Sequence, residues 1–186
     1  MELKQAVHTR RSIRNYSPEP VSREQVSEIL NAAVQAPSAM NSQPWAFAII
    51  QDAAYLKTLS ERSKAFLLSV MENMPVLEKY RPAMTNEEFN IFYNASTLII
   101  IYAKPEGPHP EEDCCLAAQN IMLTTHDLGL GSCWIGFARP LLNQPELKKE
   151  LGIPAEYTAV APLIIGYPAG KSVDLPKKEP EILFWK

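Results

Sequence analysis

The apolar positions of this chain switch between helical and extended spacing, and this switching predicts the order of its elements. Ser22 with Gln25 three residues later has the pattern of a capping box, and the apolar residues from 26 to 33 then follow one helix face. The pattern predicts, in chain order, a helix ending near residue 8, a helix after Ser22, a strand over 45–50, a helix from 52 to about 63, a strand over 97–102, a helix over 111–128, a short strand or turn over 132–137, a helix over 146–151 and a strand over 158–167.

The mixed order of these elements favours an α+β fold with a mostly antiparallel central sheet flanked by helices. The 111–128 helix is apolar over more than half its circumference, so we expect it to be buried or shared with a partner. The broken pattern from about 55 to 93 indicates a helical excursion, a candidate lid. The proline-rich residues 168–186 are interpreted as an extended C-terminal arm.

The length and charge of the chain limit its class. At 186 residues it fits a single domain over 1–186, and its formal net charge of −3 argues against a nucleic-acid partner. No apolar run approaches the roughly 20 residues that span a bilayer, and the N-terminus lacks the apolar core of a signal peptide. We therefore expect a cytoplasmic protein without a membrane partner.

The cysteines and histidines indicate neither a disulfide framework nor a metal site. Cys114 and Cys115 are adjacent and Cys133 stands alone, so the count is odd. The three histidines have no ligand spacing to one another or to the cysteines.

A cluster of arginines near the N-terminus is the first candidate binding segment. Arg10, Arg11 and Arg14 surround Ser12 within five positions. Guanidinium groups can grip phosphate oxygens with paired hydrogen bonds, and a serine adds a short donor, so the cluster indicates a site for a compact anion. The alternative is a solvated basic turn.

The second candidate segment, residues 36–45, joins a helix to a strand. It carries the side-chain amides of Asn41 and Gln43 between Pro37 and Pro44. Such amides both donate and accept, which suits the edge of a heteroaromatic ring, and the prolines limit the freedom of the loop. The alternative is an ordinary polar loop.

The glycine-rich segment 129–137 does not have the dinucleotide-binding pattern, because the third glycine of that pattern falls on Trp134. A glycine-flanked strand end would instead let backbone amides approach a flat ring. Core packing of Cys133 and Trp134 is the alternative, and no base is evident that would make Cys133 a nucleophile.

Taken together, four segments resemble the FMN-dependent nitroreductase family. They are residues 10–14 (RRSIR), 36–45 (APSAMNSQPW), 129–136 (GLGSCWIG) and 165–168 (IGYP). The resemblance implies an intertwined homodimer with two FMN sites at its interface. It also implies an enzyme that takes hydride from NADH or NADPH and reduces a small electron-poor acceptor such as a nitroaromatic or a quinone. The flavin would carry the chemistry, so no catalytic side chain is expected.

The resemblance also implies roles for particular residues. Arg10, Ser12 and Arg14 would hold the phosphate, and Arg11 would reach the pyrimidine edge of the ring or the ribityl chain. Lys177 or Lys178 would assist at the phosphate. Pro37, Ser38, Ala39, Met40 and Asn41 would line the flavin from the other subunit, and backbone amides near Ile135 and Gly136 would approach the reactive N5 atom. The remaining cofactor-binding candidates are Gln43, Cys133 and Trp134. The chain departs from some family members at Ile135, where they carry glutamate, and at Glu179, where they carry arginine.

Other functions stay open at this point. The same residues would serve a flavin storage or sensing module, a phosphate-binding domain for another nucleotide, or a same-fold dehalogenase or flavin-fragmenting enzyme. A separate hypothesis places an aromatic substrate wall at Met40, Phe89, Phe92, Tyr93 and Trp134, with plain core packing as its alternative.

Overall fold

A computed structural model describes residues 1–170 and 175–186, and a single four-stranded sheet organises them. The strands are β1 (Trp45–Ile50), β2 (Thr97–Ala103), β3 (Gly131–Trp134) and β4 (Thr158–Gly166). Their order across the sheet is β1-β2-β4-β3, and every neighbouring pair is antiparallel. The α+β prediction with an antiparallel sheet is confirmed.

The helices of the described residues lie close to the predicted positions. They are α1 (Leu3–Thr9), α2 (Arg23–Ala33), α3 (Ala53–Val70), α4 (Arg81–Thr85), α5 (Pro110–Asp127), α6 (Arg139–Leu142) and α7 (Pro145–Glu150). The capping box before α2 is present, because Ser22 Oγ accepts from the Gln25 backbone and the Gln25 side chain accepts from the Ser22 backbone. None of these helices combines the length and apolar character that a bilayer-crossing segment needs.

Two hydrophobic cores lie on the two faces of the sheet, and β2 divides its side chains between them. Leu98, Ile100 and Tyr102 enter one core, where α3 packs, whereas the alternate residues Ile99 and Ile101 enter the other with α2 and α5. All seven β2 residues are buried. The continuous apolar run that predicted a buried strand follows from this burial on both faces.

Helix α3 is longer than the sequence predicts, because it continues past residue 63 to Val70. Ser60, Ser63 and Lys64 interrupt the apolar pattern there, yet all three are buried and hydrogen-bonded. The irregular part of the excursion therefore begins at Met71, where 3-10 turns over 71–73 and 75–80 precede α4.

Residues 175–186 contain no helix or strand and are exposed in the single chain. The predicted arm also includes residues 171–174, which lie outside the described residues.

Candidate functional site

The arginine segment is attached to the outer edge of β3. The Ile13 N–H donates to the Ser132 carbonyl at 3.0 Å, and the Tyr16 hydroxyl donates to the Ile13 carbonyl at 2.7 Å. Gly131 makes this approach possible, because a Cβ atom there would lie 2.7 Å from Ile13 Cγ1. These contacts fix the backbone of the arginine segment, and its polar side chains point to different sides of it.

Arg10 and Arg11 line a cavity of about 320 Å³ together with Thr9 and His126. The Arg11 guanidinium donates to the His8 and Arg10 carbonyls at 2.8 and 2.9 Å, at the C-terminal end of α1. Thr9 Oγ1 lies 2.7 Å from His126 Nε2. Burial lowers the pKa of His126, and the neighbouring Arg10 and Arg11 charges lower it further. This side of the segment is cationic and lined by hydrogen-bond donors.

Arg14 lies on the opposite side of the segment, where it lines a much larger cavity of about 870 Å³. The end of β3 supplies the adjoining wall through Trp134, Ile135 and Gly136. The rest of the lining is mainly apolar and comprises Phe66, Leu67, Val70, Met74, Leu77, Tyr80, Tyr93, Phe137, Pro140, Asn143 and Gln144. The arginine segment therefore separates one polar cavity from one apolar cavity.

Cys133 is only 2% exposed and packs in the core beneath this site. Burial raises the pKa of its thiol, while Arg14 and Ser12 offset part of the rise. The thiol is therefore protonated near neutral pH, and the structure gives it no base. Its core position agrees with the packing alternative.

The hypothesis of an aromatic wall is only partly consistent with the structure. Tyr93 and Trp134 line the large cavity, but Phe92 is fully buried in the core and Phe89 packs edge-on against Tyr93, with ring centroids 5.6 Å apart. Met40 belongs to the 36–45 loop and does not line this cavity within one chain. Phe89 supports Tyr93 rather than lining the cavity, and Phe92 belongs to the core.

Tyr93 is held in a strained position beside Arg14. It has a φ of 52°, in the left-handed region that a bulky side chain rarely adopts, and Asn94 follows with a φ of 55°. Burial raises the pKa of the Tyr93 phenol, and Arg14 offsets part of that rise. Such strained residues are concentrated at functional sites.

The loop before β1 is held from beneath by Asp113, a buried carboxylate at the start of α5. Asp113 accepts from the Ala39 N–H at 3.1 and 3.2 Å and from the Ser42 hydroxyl at 3.4 Å. Ser38 Oγ accepts from the Gln43 N–H at 3.0 Å, and the Gln43 side chain donates to Asn41 at 3.0 Å.

The held loop presents Met40 to solvent. Met40, Asn41 and Gln43 all have positive φ values, between 48° and 55°, and Met40 is 91% exposed. The sequence pattern identified this loop but gave no indication of Asp113, which lies 70 or more residues away.

A model of the Nitroreductase family matches residues 7–167 of the sequence. The chain belongs to the nitroreductase family. A protein from Archaeoglobus fulgidus, provisionally named NADH dehydrogenase/NAD(P)H nitroreductase, is 35% identical over 172 residues, covering 90% of this chain and 86% of that protein. The iodotyrosine deiodinase of Thermotoga neapolitana is 26% identical over 174 residues, covering 91% of this chain and 90% of that protein. A nitroreductase structure from Bacteroides fragilis with bound FMN superposes with a TM-score of 0.83 at 26% identity, covering 99% of this chain and 97% of that one.

The two candidate segments of this nitroreductase chain lie at opposite edges of its sheet. The 36–45 loop runs into β1, whereas the arginine segment is attached to β3, and β2 and β4 lie between them. Strands are spaced about 4.8 Å apart, so the two edges are about 14 Å apart. One chain alone does not bring the loop onto its own Arg14.

Lys177 and Lys178 are both exposed in the nitroreductase chain, within residues 175–186. No cluster of three or more histidine, cysteine or acidic side chains suited to a metal ion occurs in residues 1–170 and 175–186.

Proposed function

We propose that this chain is an FMN-dependent oxidoreductase that takes hydride from NADH or NADPH and delivers it to an electron-poor small molecule. The observation that carries the proposal is the pair of unlike cavities on either side of the arginine segment. FMN has a dianionic phosphate at one end and a flat ring at the other, and the two cavities match these two ends. When bound, FMN supplies the hydride chemistry, and the protein supplies position and electrostatics.

The polar cavity suits the phosphate and the apolar cavity suits the ring, which assigns separate roles to the arginines. Arg10 and Ser12 would contact the phosphate, as the resemblance implies. Arg14 lines the apolar cavity, so we assign it to the pyrimidine edge of the ring instead. Arg11 donates to two backbone carbonyls, so we assign it the role of holding the segment in place.

Gly136 is the best candidate for the amide that faces the reactive edge of the ring. The Ile135 N–H already donates to the Pro162 carbonyl at 2.9 Å, whereas Gly136 begins a 3-10 turn, where the first N–H groups lack partners within the turn. Nothing lies within 4 Å of a Cβ placed on Gly136, so its backbone is open to a ring.

We further propose that the active form is a homodimer in which the 36–45 loop of one chain covers the flavin of the other. The separation of the two segments within one chain supports this, and so does the exposure of apolar residues that a partner would bury. These include Leu3 and Val7 on α1, Leu116 on α5, and Leu183, Phe184 and Trp185 near the C-terminus. Light scattering coupled to gel filtration should give twice the chain mass, and a purely monomeric protein that binds FMN would contradict the dimer.

Flavin titrations test the assignment of the arginines. Loss of one charge-assisted hydrogen bond costs about 1.5–3 kcal/mol, which corresponds to roughly 10- to 150-fold in affinity. Arg10→Ala should weaken FMN binding by that factor but leave riboflavin, which has no phosphate, nearly unaffected. Arg14→Ala should weaken both flavins to a similar extent.

The matched control is Arg23→Ala, an exposed arginine at the start of α2. It should change neither titration. A wild-type protein that takes up no FMN, or an Arg10→Ala variant that weakens riboflavin as much as FMN, would contradict the proposal. Anaerobic NADH or NADPH should bleach the yellow holoprotein, and tight flavin binding without bleaching would favour a storage module.

The relative named iodotyrosine deiodinase favours a second candidate, reductive dehalogenation at the same site. A panel of acceptors offered to the reduced protein, with halide release measured by an ion-selective electrode, distinguishes the two reactions.

A further inference from the structure

The walls of the large cavity continue well beyond the residues that would face a flavin ring. Arg14, Ile135 and Gly136 form one part of the lining. Another part, which we call the far end, comes from α3 and the 3-10 turns and comprises Phe66, Leu67, Val70, Met74, Leu77 and Tyr80. We infer that this far end selects uncharged, planar aromatic acceptors that carry a hydrocarbon substituent, an inference that rests on the proposed function.

Charge is nearly absent from this far end. Among the lining residues that the structure describes, Arg14 alone carries a full charge, and the proposed function assigns it to the flavin. Three charged side chains of the neighbouring turns and of α4 already have partners, because Arg81 pairs with Glu78 at 3.0 Å and Lys79 lies 5.0 Å from the centre of the Tyr80 ring. An acceptor with a charged group would therefore lose hydration without gaining a partner.

The two side-chain amides of the lining have partners within the chain. Asn143 donates to the Arg139 and Ala159 carbonyls and accepts from the Ala159 N–H, and Gln144 donates to the Pro140 carbonyl. These amides support the turn after β3. Residues 36–43, which a second copy would contribute, include no ionisable side chain. Apart from Arg14, neither the described lining of this cavity nor residues 36–43 of a second copy therefore supply a charged partner for an amino-acid zwitterion.

The apolar wall has the extent and shape to hold a hydrocarbon chain. Phe66 and Val70 on α3 face this space along with Leu77, and the Tyr80 ring packs edge-on against Phe137 at 5.0 Å. Met74, 45% exposed, lies at the mouth. Burying one methylene group contributes about fourfold in affinity, so a substituent that follows this wall should dominate selectivity.

The redox step balances with the proposed donor. A hydride equivalent from NADH or NADPH, which bound FMN would carry, brings two electrons and one proton to a nitro group, and the second proton is an H+ ion taken up from the solvent. One N–O bond breaks, and the products are the nitroso compound, water and the oxidised nicotinamide.

The probes that test this inference are 4-alkylnitrobenzenes with methyl, butyl and heptyl chains, which share one reacting group. Calorimetric titration of the oxidised holoprotein gives their affinities without turnover. The butyl compound should bind at least tenfold more tightly than the methyl compound, since three additional methylenes could contribute up to about 60-fold. The values of kcat/KM should rise in the same order.

Two variants place the effect at the far end of the cavity. Leu77→Gln and Met74→Gln should each reduce the butyl-to-methyl ratio to below threefold. Val76→Gln is the matched control, because Val76 is 66% exposed and does not line the cavity, and it should keep the wild-type ratio. Met74 is near the surface, so its substitution keeps the test available if Leu77→Gln folds poorly.

The outcomes separate this inference from the proposed function. Reduction of the methyl compound without any dependence on chain length overturns the inference and leaves the proposed function standing. Tighter binding of 3-iodo-L-tyrosine than of the methyl compound also overturns it. Failure of NADH and NADPH to reduce the flavin overturns the proposed function instead.

Discussion

Lys64 provides the sharpest test of how the excursion is held. Its side chain is 5% exposed, and Nζ donates to the Asn86 and Phe89 carbonyls at 2.9 and 3.0 Å and to Glu61 at 3.1 Å. Lys64→Met keeps most of the unbranched side chain but removes all three hydrogen bonds. The segment before Tyr93 then loses these attachments to α3 and keeps the hydrogen bond from the Ile91 N–H to Ser60 Oγ.

The magnitude follows from the Phe89 carbonyl, which loses Lys64 as its partner, whereas Asn86 is exposed and its carbonyl still accepts from the Phe89 N–H at 3.2 Å. An unsatisfied buried polar group costs about 1–3 kcal/mol, and the variant no longer has to bury an ammonium group, which offsets part of this cost. We expect the free energy of unfolding to fall by about 1–3 kcal/mol, and the melting temperature by about 2–12 °C. Urea denaturation followed by circular dichroism measures the free energy of unfolding. Both proteins are compared at the same concentration, because the unfolding midpoint of an oligomer depends on protein concentration. Limited proteolysis within residues 71–90 should also become faster.

Lys57→Met is the matched control, since Lys57 is exposed on the same helix. It should change the free energy of unfolding by less than about 0.5 kcal/mol, as surface substitutions usually do. Equal stability of the Lys64 and Lys57 variants would refute the reasoning, because the hydrogen bonds of the buried Lys64 would then contribute nothing to stability.

Three further substitutions have distinct expected outcomes. Gly131→Ala places a Cβ against Ile13 and should lower the free energy of unfolding, measured by urea denaturation, by about 1–3 kcal/mol. Adding Ile13→Ala should recover more than half of this loss of stability. If the double variant recovers none of it, the cause is not steric. Asp113→Ala should speed hydrogen exchange of the 36–44 peptide, including the Ala39 amide, and unchanged exchange would show that the loop is held otherwise. His126 has a pKa lowered by burial and by neighbouring guanidinium groups, so the folded chain binds fewer protons than the unfolded chain near pH 6.5. The stability of the flavin-free protein should therefore fall as the pH drops from 7.5 to 5.5, and His126→Gln should reduce this slope.

The sequence predicted the sheet well because its strands have patterns that depend on local chemistry. The β-branched run of β2 and the capping box of α2 are each complete within a few residues, so no distant information was required. The end of α3 could not be predicted in the same way. Lys64 is polar in sequence but buried in space, and its partners at Asn86 and Phe89 are more than 20 residues away.

The candidate site shows the same division. The arginine and loop segments were recognisable as motifs, but their motifs did not show that Arg14 lines a different cavity from Arg10 and Arg11. That separation results from the attachment of Ile13 to Ser132, a contact between segments that are far apart in sequence. Asp113 escaped prediction for the same reason.

The loop before β1 has a consequence for engineering, because its shape is set by residues outside it. Asp113 holds it from α5, and Gly107 leaves room for Ser42, whose Oγ would lie 2.4 Å from a Cβ at that position. Replacing residues 36–45 with those of a relative would therefore transfer the sequence of the loop but not its conformation. A chimera that aims to exchange acceptor preference should move the connection between β2 and α5 and the first turn of α5, which carries Asp113, together with the loop.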